Sequence, residues 1–204
     1  GTDTLPMWVA DTDFRSPRAV IEALKTRVEH GVFGYTRTPE TLNQVFIDRM
    51  LRLYDWTISS EDLVWLPGLV CGLNLATRAL STAEQAVVTA QPIYPPFMSA
   101  PALSSRDLIT IPMNDRVIDF DALEKAITAK TKLLLFCNPH NPGGGVYRRE
   151  GLERLAKIII NHDLLICSDE IHCDLILEPE LHHTPIASLN EEIASRTVTL
   201  MAPS

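Results

Sequence analysis

Short apolar runs alternate along the chain with longer segments whose apolar residues recur at helical spacing. Two runs, LLLFC at 133–137 and LLICS at 164–168, are continuous, as expected for strands that are covered on both faces. Predicted strands cover 63–66, 86–90, 107–111, 132–137, 164–168 and 196–201. This alternation predicts an α/β fold with three layers, α/β/α, around a mostly parallel sheet.

Helices are predicted between these strands, near 69–80, 95–104, 120–128 and 149–162. Two earlier helices are predicted from a hydroxyl residue followed by proline, a pattern typical of a capped helix start. Ser16-Pro17 opens the first, which should run to about Glu29, and Thr38-Pro39 opens the second. The sequence FGYTRT between them is predicted to be a loop.

Composition and charge limit the classes of partner. The chain has 204 residues, of which 46% are hydrophobic and 22% charged, which is typical of a globular protein. A net charge of −8 argues against nucleic acid or an anionic membrane as the main partner. No apolar run approaches the roughly 20 residues of a membrane span. An anionic ligand would therefore need a local device such as a helix N-terminus.

The cysteines indicate a reducing compartment. Cys71, Cys137, Cys167 and Cys173 lie in or beside apolar segments, so buried, reduced thiols and a cytoplasmic protein are expected. No signal peptide is visible. The Cys and His residues between 167 and 183 fit no zinc-binding spacing, so no metal site is expected.

Unusual residues follow four of the predicted strands. These segments are PGLV after 63–66, QPIYPPF after 86–90, NPHNPGGG after 132–137 and DEIH after 164–168. Ligands of open parallel sheets bind beyond the carboxyl ends of the strands. The four segments are therefore the first candidates for a functional site.

Two polar side chains in these segments fit a heteroaromatic ligand. Asp169 follows a strongly apolar strand and needs a positive partner to stay ionised there, such as a protonated pyridine nitrogen. Alternatively, Asp169 caps the following turn or pairs with an arginine. Asn141 lies in a loop with two Asn-Pro steps and three glycines, where its amide can hydrogen-bond a phenolate oxygen. A plain turn is the alternative for Asn141.

The other two segments fit the remaining parts of such a ligand. Backbone N–H groups of Leu69 and Val70 at a helix start suit a phosphate, although Pro-Gly before a helix is common and no P-loop sequence follows. Tyr94, fixed by the prolines after it, suits stacking on a planar ring, with a core or turn tyrosine as the alternative. Tyr35 alone indicates only a surface loop.

Together these segments resemble fold-type I enzymes that depend on pyridoxal 5′-phosphate (PLP), within the class I/II aminotransferase superfamily. The match is closest to the cystathionine β-lyase (C–S β-lyase) branch represented by MalY and PatB. LPMWVADTDF, FGYT, PGLV, YPPF, NPHNPGG and SDEIHCDL follow in the order of that branch and span the whole chain. NPHNPGG together with SDEIH is the specific part.

The resemblance implies a role for each residue of the four segments. Asp169 would pair with the pyridine nitrogen of PLP, and Asn141 would hydrogen-bond its phenolic oxygen. Tyr94 would stack on the ring. The N–H groups of Leu69 and Val70 would hold the phosphate by backbone contacts alone, because many relatives have a hydroxyl residue there.

Further roles come from the resemblance alone. His172 stands where many aminotransferases have tyrosine, which favours the β-lyase branch. Tyr35 would reach the phosphate of the neighbouring subunit's cofactor, which implies a homodimer. Val9 and Ala10 would lie near the carboxylate end of the amino-acid substrate. Ser204 could contact the phosphate, and the lysine that forms a Schiff base with PLP would come immediately after it.

The resemblance also implies a domain organisation and a reaction. Residues 1–30 would pack near the active site and a small domain, which this chain lacks, and residues 31–204 would form the incomplete PLP-binding domain. The reaction would be β-elimination from L-cystathionine or related L-cysteine thioethers, giving a thiol, pyruvate and ammonia. An aminotransferase and a regulatory, ligand-sensing protein on the same fold are the alternatives.

Overall fold

The computed structural model describes residues 3–5 and 7–203. The chain divides into two compact units, residues 1–38 and 39–204. In the first unit, helix α1 covers Arg18–His30 and ends at Gly31, whose φ of 73° is left-handed. The predicted cap at Ser16 is wrong, because Pro17 occupies the N-cap position and no side chain caps the helix. The sequence FGYTRT forms a loop, as predicted.

One six-stranded sheet organises the second unit. Its strands are β1 (Ala86–Gln91), β2 (Asp107–Asn114), β3 (Val117–Ile118), β4 (Thr131–Cys137), β5 (Leu165–Asp169) and β6 (Thr197–Leu200). Their order is β3-β2-β1-β4-β5-β6. All neighbours pair in parallel except β2 and β3, which form an antiparallel hairpin. The predicted mostly parallel sheet is confirmed.

Six α-helices in the described part of the second unit connect or flank these strands. They are α2 (Glu40–Tyr54), α3 (Leu69–Leu80), α4 (Pro96–Leu103), α5 (Phe120–Ala126), α6 (Arg149–Asn161) and α7 (Glu191–Ala194). Helix α2 follows Pro39 without a side-chain cap, so the predicted cap at Thr38 is also wrong. The four helices predicted between strands are confirmed to within two residues at each end.

Alternate residues of β4 enter two different apolar cores, as a strand covered on both faces requires. Leu134 and Phe136 pack in a core that includes Leu152 of α6. Leu133 and Leu135 pack in a second core with Leu73 of α3. Helices therefore cover both faces of the sheet, and the three-layer α/β/α architecture is confirmed.

The predicted strand at 63–66 is wrong. This segment has no strand pairing; instead Trp65 donates a hydrogen bond from Nε1 to Oδ1 of Asn43 (2.9 Å) and packs edge-on against Phe46 of α2. Within the described residues, edge strand β6 pairs only with β5. The 63–66 segment and β6 both line a cavity of about 630 Å³. An apolar run becomes a strand only with a hydrogen-bonding neighbour, which 63–66 lacks here.

All four cysteines are free in the structure. Cys137, Cys167 and Cys173 are buried, as predicted, but Cys71 is exposed. The burial prediction is wrong for Cys71, which lies in the first turn of α3 but not in the apolar core that includes Leu73 of the same helix. No helix in the described part of the chain is both long and apolar enough to cross a membrane.

Candidate active site

The carboxyl ends of β4, β5 and β6 lie side by side at one edge of the sheet. The strand register places Cys137 opposite Asp169 and Asp169 opposite Leu200. Beyond the strands, the N–H of Asn138 donates to the carbonyl of Asp169 (3.0 Å), and the N–H of Glu170 donates to the carbonyl of Leu200 (2.9 Å). Two of the segments that carry polar residues, those after β4 and β5, are thus fixed to each other and to the end of β6 by their backbones.

Asp169 ends β5 with its carboxyl group buried; the residue is 7% exposed. Oδ1 accepts a hydrogen bond from the N–H of Ile171 (3.1 Å). Burial raises the pKa of Asp169 to about 6, the Ile171 hydrogen bond opposes this, and nearby Glu170 adds to it. The turn-capping alternative is therefore realised. Among the described residues no Arg or Lys forms an ion pair with Asp169, so its carboxyl group is free to meet a cationic ligand.

The loop after β4 is held by its own hydrogen bonds. The backbone N–H of His140 donates to the carbonyl of Gly145 (2.8 Å), and that of Gly144 donates to the carbonyl of His140 (2.7 Å). Oδ1 of buried Asn138 accepts from the N–H of Tyr147 (3.2 Å). Both Asn-Pro peptide bonds are cis. These contacts fix the backbone at Asn141.

Gly145 shows why this loop requires glycine. A Cβ atom at Gly145 would collide with the backbone carbonyl of Arg116, in the turn between β2 and β3. That turn is itself tight, since Asp115 and Arg116 both have positive φ, 46° and 66°. The preceding Gly144 has a φ of 67°. The sheet's outer hairpin thus approaches the loop too closely for any side chain at 145.

Tyr94 and Asn141 are brought together across β1 and β4. The N–H of Tyr94 donates to the carbonyl of Asn141 (3.0 Å). Tyr94 is 40% exposed and Asn141 is half-buried. A core position for Tyr94 is therefore excluded, whereas a turn tyrosine and a ligand-stacking role are both compatible with its exposure.

Helix α3 begins at the same edge, with Gly68 as its N-cap. As at every α-helix start, the N–H groups of its first turn, including those of Leu69 and Val70, have no carbonyl partner within the helix. Gly72 allows α3 to approach the sheet, because a Cβ atom there would lie 2.9 Å from Cδ2 of Leu200. The N-terminal part of the 12-residue helix α3 therefore lies beside the carboxyl end of β6.

The structure says less about where the remaining predicted site residues lie. His172 is half-buried in the turn that follows Asp169. Val9, Ala10 and Tyr35 belong to the first unit, so their approach to these residues stays a prediction. Ser204 lies outside the described residues.

Sequence reasoning missed a second buried carboxyl group beside Asp169. Glu170 is fully buried, and its Oε2 lies 2.7 Å from Nε2 of His183. The signal was present in SDEIH, where two acidic residues directly follow an apolar strand. Glu170 lies just beyond β5 and contacts Ser168 and His183, whereas Asp169 accepts from Ile171, so the two carboxyl groups have different surroundings.

Fold and site together define an α/β protein with a candidate ligand site at the carboxyl ends of a mostly parallel sheet. The chain belongs to the family described as aminotransferase class I and II, whose model matches residues 7–202. It is 38% identical, over its whole length, to 54% of cystathionine beta-lyase PatB of Bacillus subtilis (strain 168). The predicted resemblance to that branch is confirmed.

Solved structures agree with this assignment. The chain is similar to OvoB, with 51% sequence identity. The crystal structure of OvoB matches the fold with a TM-score of 0.93, over 98% of this chain and 54% of that one. Cystalysin from Treponema denticola, whose crystal structure contains a pyridoxal 5′-phosphate cofactor, is 33% identical with a TM-score of 0.93, over 100% of this chain and 53% of that one. The chain spans about half the length of these relatives.

Proposed function

We propose that the whole protein is a PLP-dependent carbon–sulfur β-lyase. Its substrates would be L-cystathionine or related L-cysteine thioethers, and its products a thiol (homocysteine from cystathionine), pyruvate and ammonia. Support comes from the name of PatB, a cystathionine beta-lyase, and from the PLP bound in cystalysin.

The observation that carries the proposal is the buried carboxyl group of Asp169, which no described Arg or Lys pairs with. A carboxyl group with a raised pKa in a poorly solvated site gains most from a cationic hydrogen-bond donor, and a protonated pyridine nitrogen is one. The N-terminus of α3 supplies donors suited to a phosphate. When bound, PLP supplies an electron-accepting ring that stabilises negative charge at the substrate's Cα.

Each residue of the site would then have one task. Asp169 would hold the proton on the pyridine nitrogen. The side-chain amide of Asn141 would donate to the phenolic oxygen, and the ring of Tyr94 would cover one face of the cofactor. The backbone N–H groups of Leu69 and Val70 would bind the phosphate.

Other roles extend this assignment. His172 would lie near the phenolic oxygen, Val9 and Ala10 near the substrate carboxylate, and Ser204 at the phosphate. Tyr35 would reach the phosphate in a neighbouring copy, so the protein would act as a homodimer. The four free thiols, three of them buried, support the cytoplasm as the protein's compartment.

The competing activity within the family is transamination, which would use the same cofactor contacts. Full-length protein with PLP and L-cystathionine, without any keto acid, should release pyruvate and homocysteine in equal amounts. An aminotransferase needs a keto-acid acceptor for repeated turnover. Absence of pyruvate without an acceptor, together with turnover once an acceptor is added, would overturn the lyase proposal in favour of transamination.

A further inference from the structure

Glu170 has an unusual environment for a carboxylic acid. Its side chain is fully buried, yet Oε1 accepts from the hydroxyl of Ser168 (2.9 Å) and from the N–H of Ile186 (3.2 Å). Oε2 lies 2.7 Å from Nε2 of His183, whose side chain is also buried. A buried carboxyl group is costly unless its oxygens are satisfied, and here Ser168, Ile186 and, with Nε2 protonated, His183 satisfy them. None of these residues has a part in the proposed chemistry.

The partners of Glu170 join the two ends of one long loop. Glu170 opens the loop between β5 and the turn at Ile186, and His183 and Ile186 stand at the loop's other end. Between them the chain forms only turns, such as the hydrogen bond from the N–H of Cys173 to the carbonyl of Glu170 (3.0 Å). Glu170 therefore closes a loop that has little other regular structure.

The contacts of Glu170 affect the candidate active site through the first turn of this loop. The N–H of Ile171 is the group that holds Oδ1 of Asp169 (3.1 Å). His172 follows in the same turn, and its carbonyl accepts from the N–H of Leu175 (2.9 Å). A shift of Glu170 would move Ile171 and His172 with it. The orientation of the Asp169 carboxyl group thus depends on the residue next to it.

Helix α2 braces the other side of the pair. The ring of Tyr54 packs edge-on against His183, with ring centroids 5.5 Å apart. Arg49 donates to Asp174 of the loop at 2.5 and 2.6 Å. The Arg49–Asp174 pair is partly exposed and contributes little. The buried contacts of Glu170 and His183 therefore restrain the loop more than this exposed pair does.

We propose that Glu170 and His183 are positioning residues, a buried clamp that fixes the 170–186 loop and so orients Asp169 and His172. The effect on catalysis rests on the proposed function. The effect on the loop does not, because it concerns contacts within this chain.

The test compares three variants of the full-length protein. His183→Phe keeps an aromatic ring beside Tyr54 but removes the N–H donor to Glu170. His183→Gln keeps a donor, and His182→Phe is the matched control, since His182 is the exposed neighbour on the same loop. Hydrogen exchange without PLP is followed for peptides covering 170–186 and 131–137. The kcat and KM for L-cystathionine are then measured with PLP.

We expect that loss of the His183 N–H donor affects only the loop that it restrains. His183→Phe should accelerate exchange in 170–186 by about tenfold, with 131–137 unchanged. It should lower kcat by roughly tenfold with little change in KM, because a misplaced polar group affects the reacting geometry more than binding. His183→Gln should recover most of both, and His182→Phe should match the unsubstituted protein.

Three outcomes would overturn the proposal. Exchange in 170–186 could be unchanged in His183→Phe, or it could accelerate equally in 131–137. Alternatively, the kcat of His183→Phe could be no lower than that of the control His182→Phe. If His183→Phe does not fold, the same readouts on Glu170→Gln decide, since glutamine retains the side-chain volume but replaces one acceptor oxygen with an N–H donor; unchanged exchange in 170–186 of that variant would overturn the proposal. If the unsubstituted protein produces no pyruvate, the proposed function fails, while the exchange data still decide on the clamp.

Discussion

Asp169 has two tasks that compete for one carboxyl group. Its Oδ1 caps the turn at Ile171, and its burial raises the pKa to about 6. Capping can be performed by a neutral amide as well as by a carboxyl group. Holding a proton on a cationic ring requires negative charge. The two tasks can therefore be separated by replacing the carboxyl group with an amide of the same shape.

Asp169→Asn should retain the fold and lose turnover. Asparagine Oδ1 can still accept from Ile171, but it has no charge to keep a pyridine nitrogen protonated. We expect kcat for pyruvate release to fall by roughly 100-fold or more, because preorganised charge is a large term in catalysis. Asp163→Asn is the control, since Asp163 is an exposed carboxylate paired with Lys132 and Arg196. Full turnover in Asp169→Asn would contradict the assigned role.

The same residue should affect stability in a pH-dependent way. In the protein without PLP, the folded-state pKa of about 6 lies above the unfolded value of roughly 3.9, so the folded state binds more protons between those pH values. The free energy of unfolding should therefore fall, relative to that of Asp169→Asn, by roughly 2–3 kcal/mol as pH rises from about 4 to 7. Urea unfolding at both pH values measures this. A constant difference between the two proteins would rule it out.

At the residue scale, the sequence predicts side chains whose role follows from their own position in the chain. It does not predict side chains whose role depends on a partner that is distant in sequence. Asp169 was predicted because an apolar strand leads directly into it. Glu170 gave the same signal, but its function depends on His183, thirteen residues later, and on a loop path that no spacing rule specifies. Likewise, the glycines of NPHNPGGG predicted a tight loop, whereas the carbonyl of Arg116 that excludes a side chain at Gly145 comes from a different hairpin.

At the scale of elements, the loop after β4 depends on that close approach. Gly145→Ala should shift either the loop or the β2–β3 hairpin, because the backbone carbonyl of Arg116 cannot move aside as a side chain can. We expect a loss of about 2 kcal/mol in the free energy of unfolding and weaker PLP binding through displacement of Asn141. Gly34→Ala is the control, since no atom lies within 4 Å of a Cβ placed there. Equal stability of the two variants would refute the steric account.

The strands show which elements the pattern of apolar residues along the sequence can predict. Continuous apolar runs such as LLLFC predicted central strands well, because residues buried on both faces have neighbours on every side. The segment 63–66 has a similar apolar run, yet it packs on α2 through Trp65 and makes no ladder. Periodicity reports burial but not the presence of a hydrogen-bonding neighbour, so it cannot distinguish the two cases.

At the scale of the whole molecule, the proposed homodimer makes each site from two chains. Tyr35 would come from one copy and Asp169 from the other. Full-length Tyr35→Ala and Asp169→Ala should each be nearly inactive. When mixed and exchanged, they should regain about a quarter of normal activity, because half of the dimers are mixed and each has one intact site. Kinetic assay of the mixture, with size-exclusion chromatography to show exchange, measures this. A mixture no more active than its components would exclude a shared site.

The proposed function rests on a PLP site organised around Asp169. The most direct measurement is the visible absorption spectrum of the purified full-length protein, with and without added PLP, before and after borohydride. We expect a visible band that PLP restores after its removal, that borohydride bleaches, and that weakens or shifts in Asp169→Asn. A protein that stays colourless in the presence of PLP would contradict it.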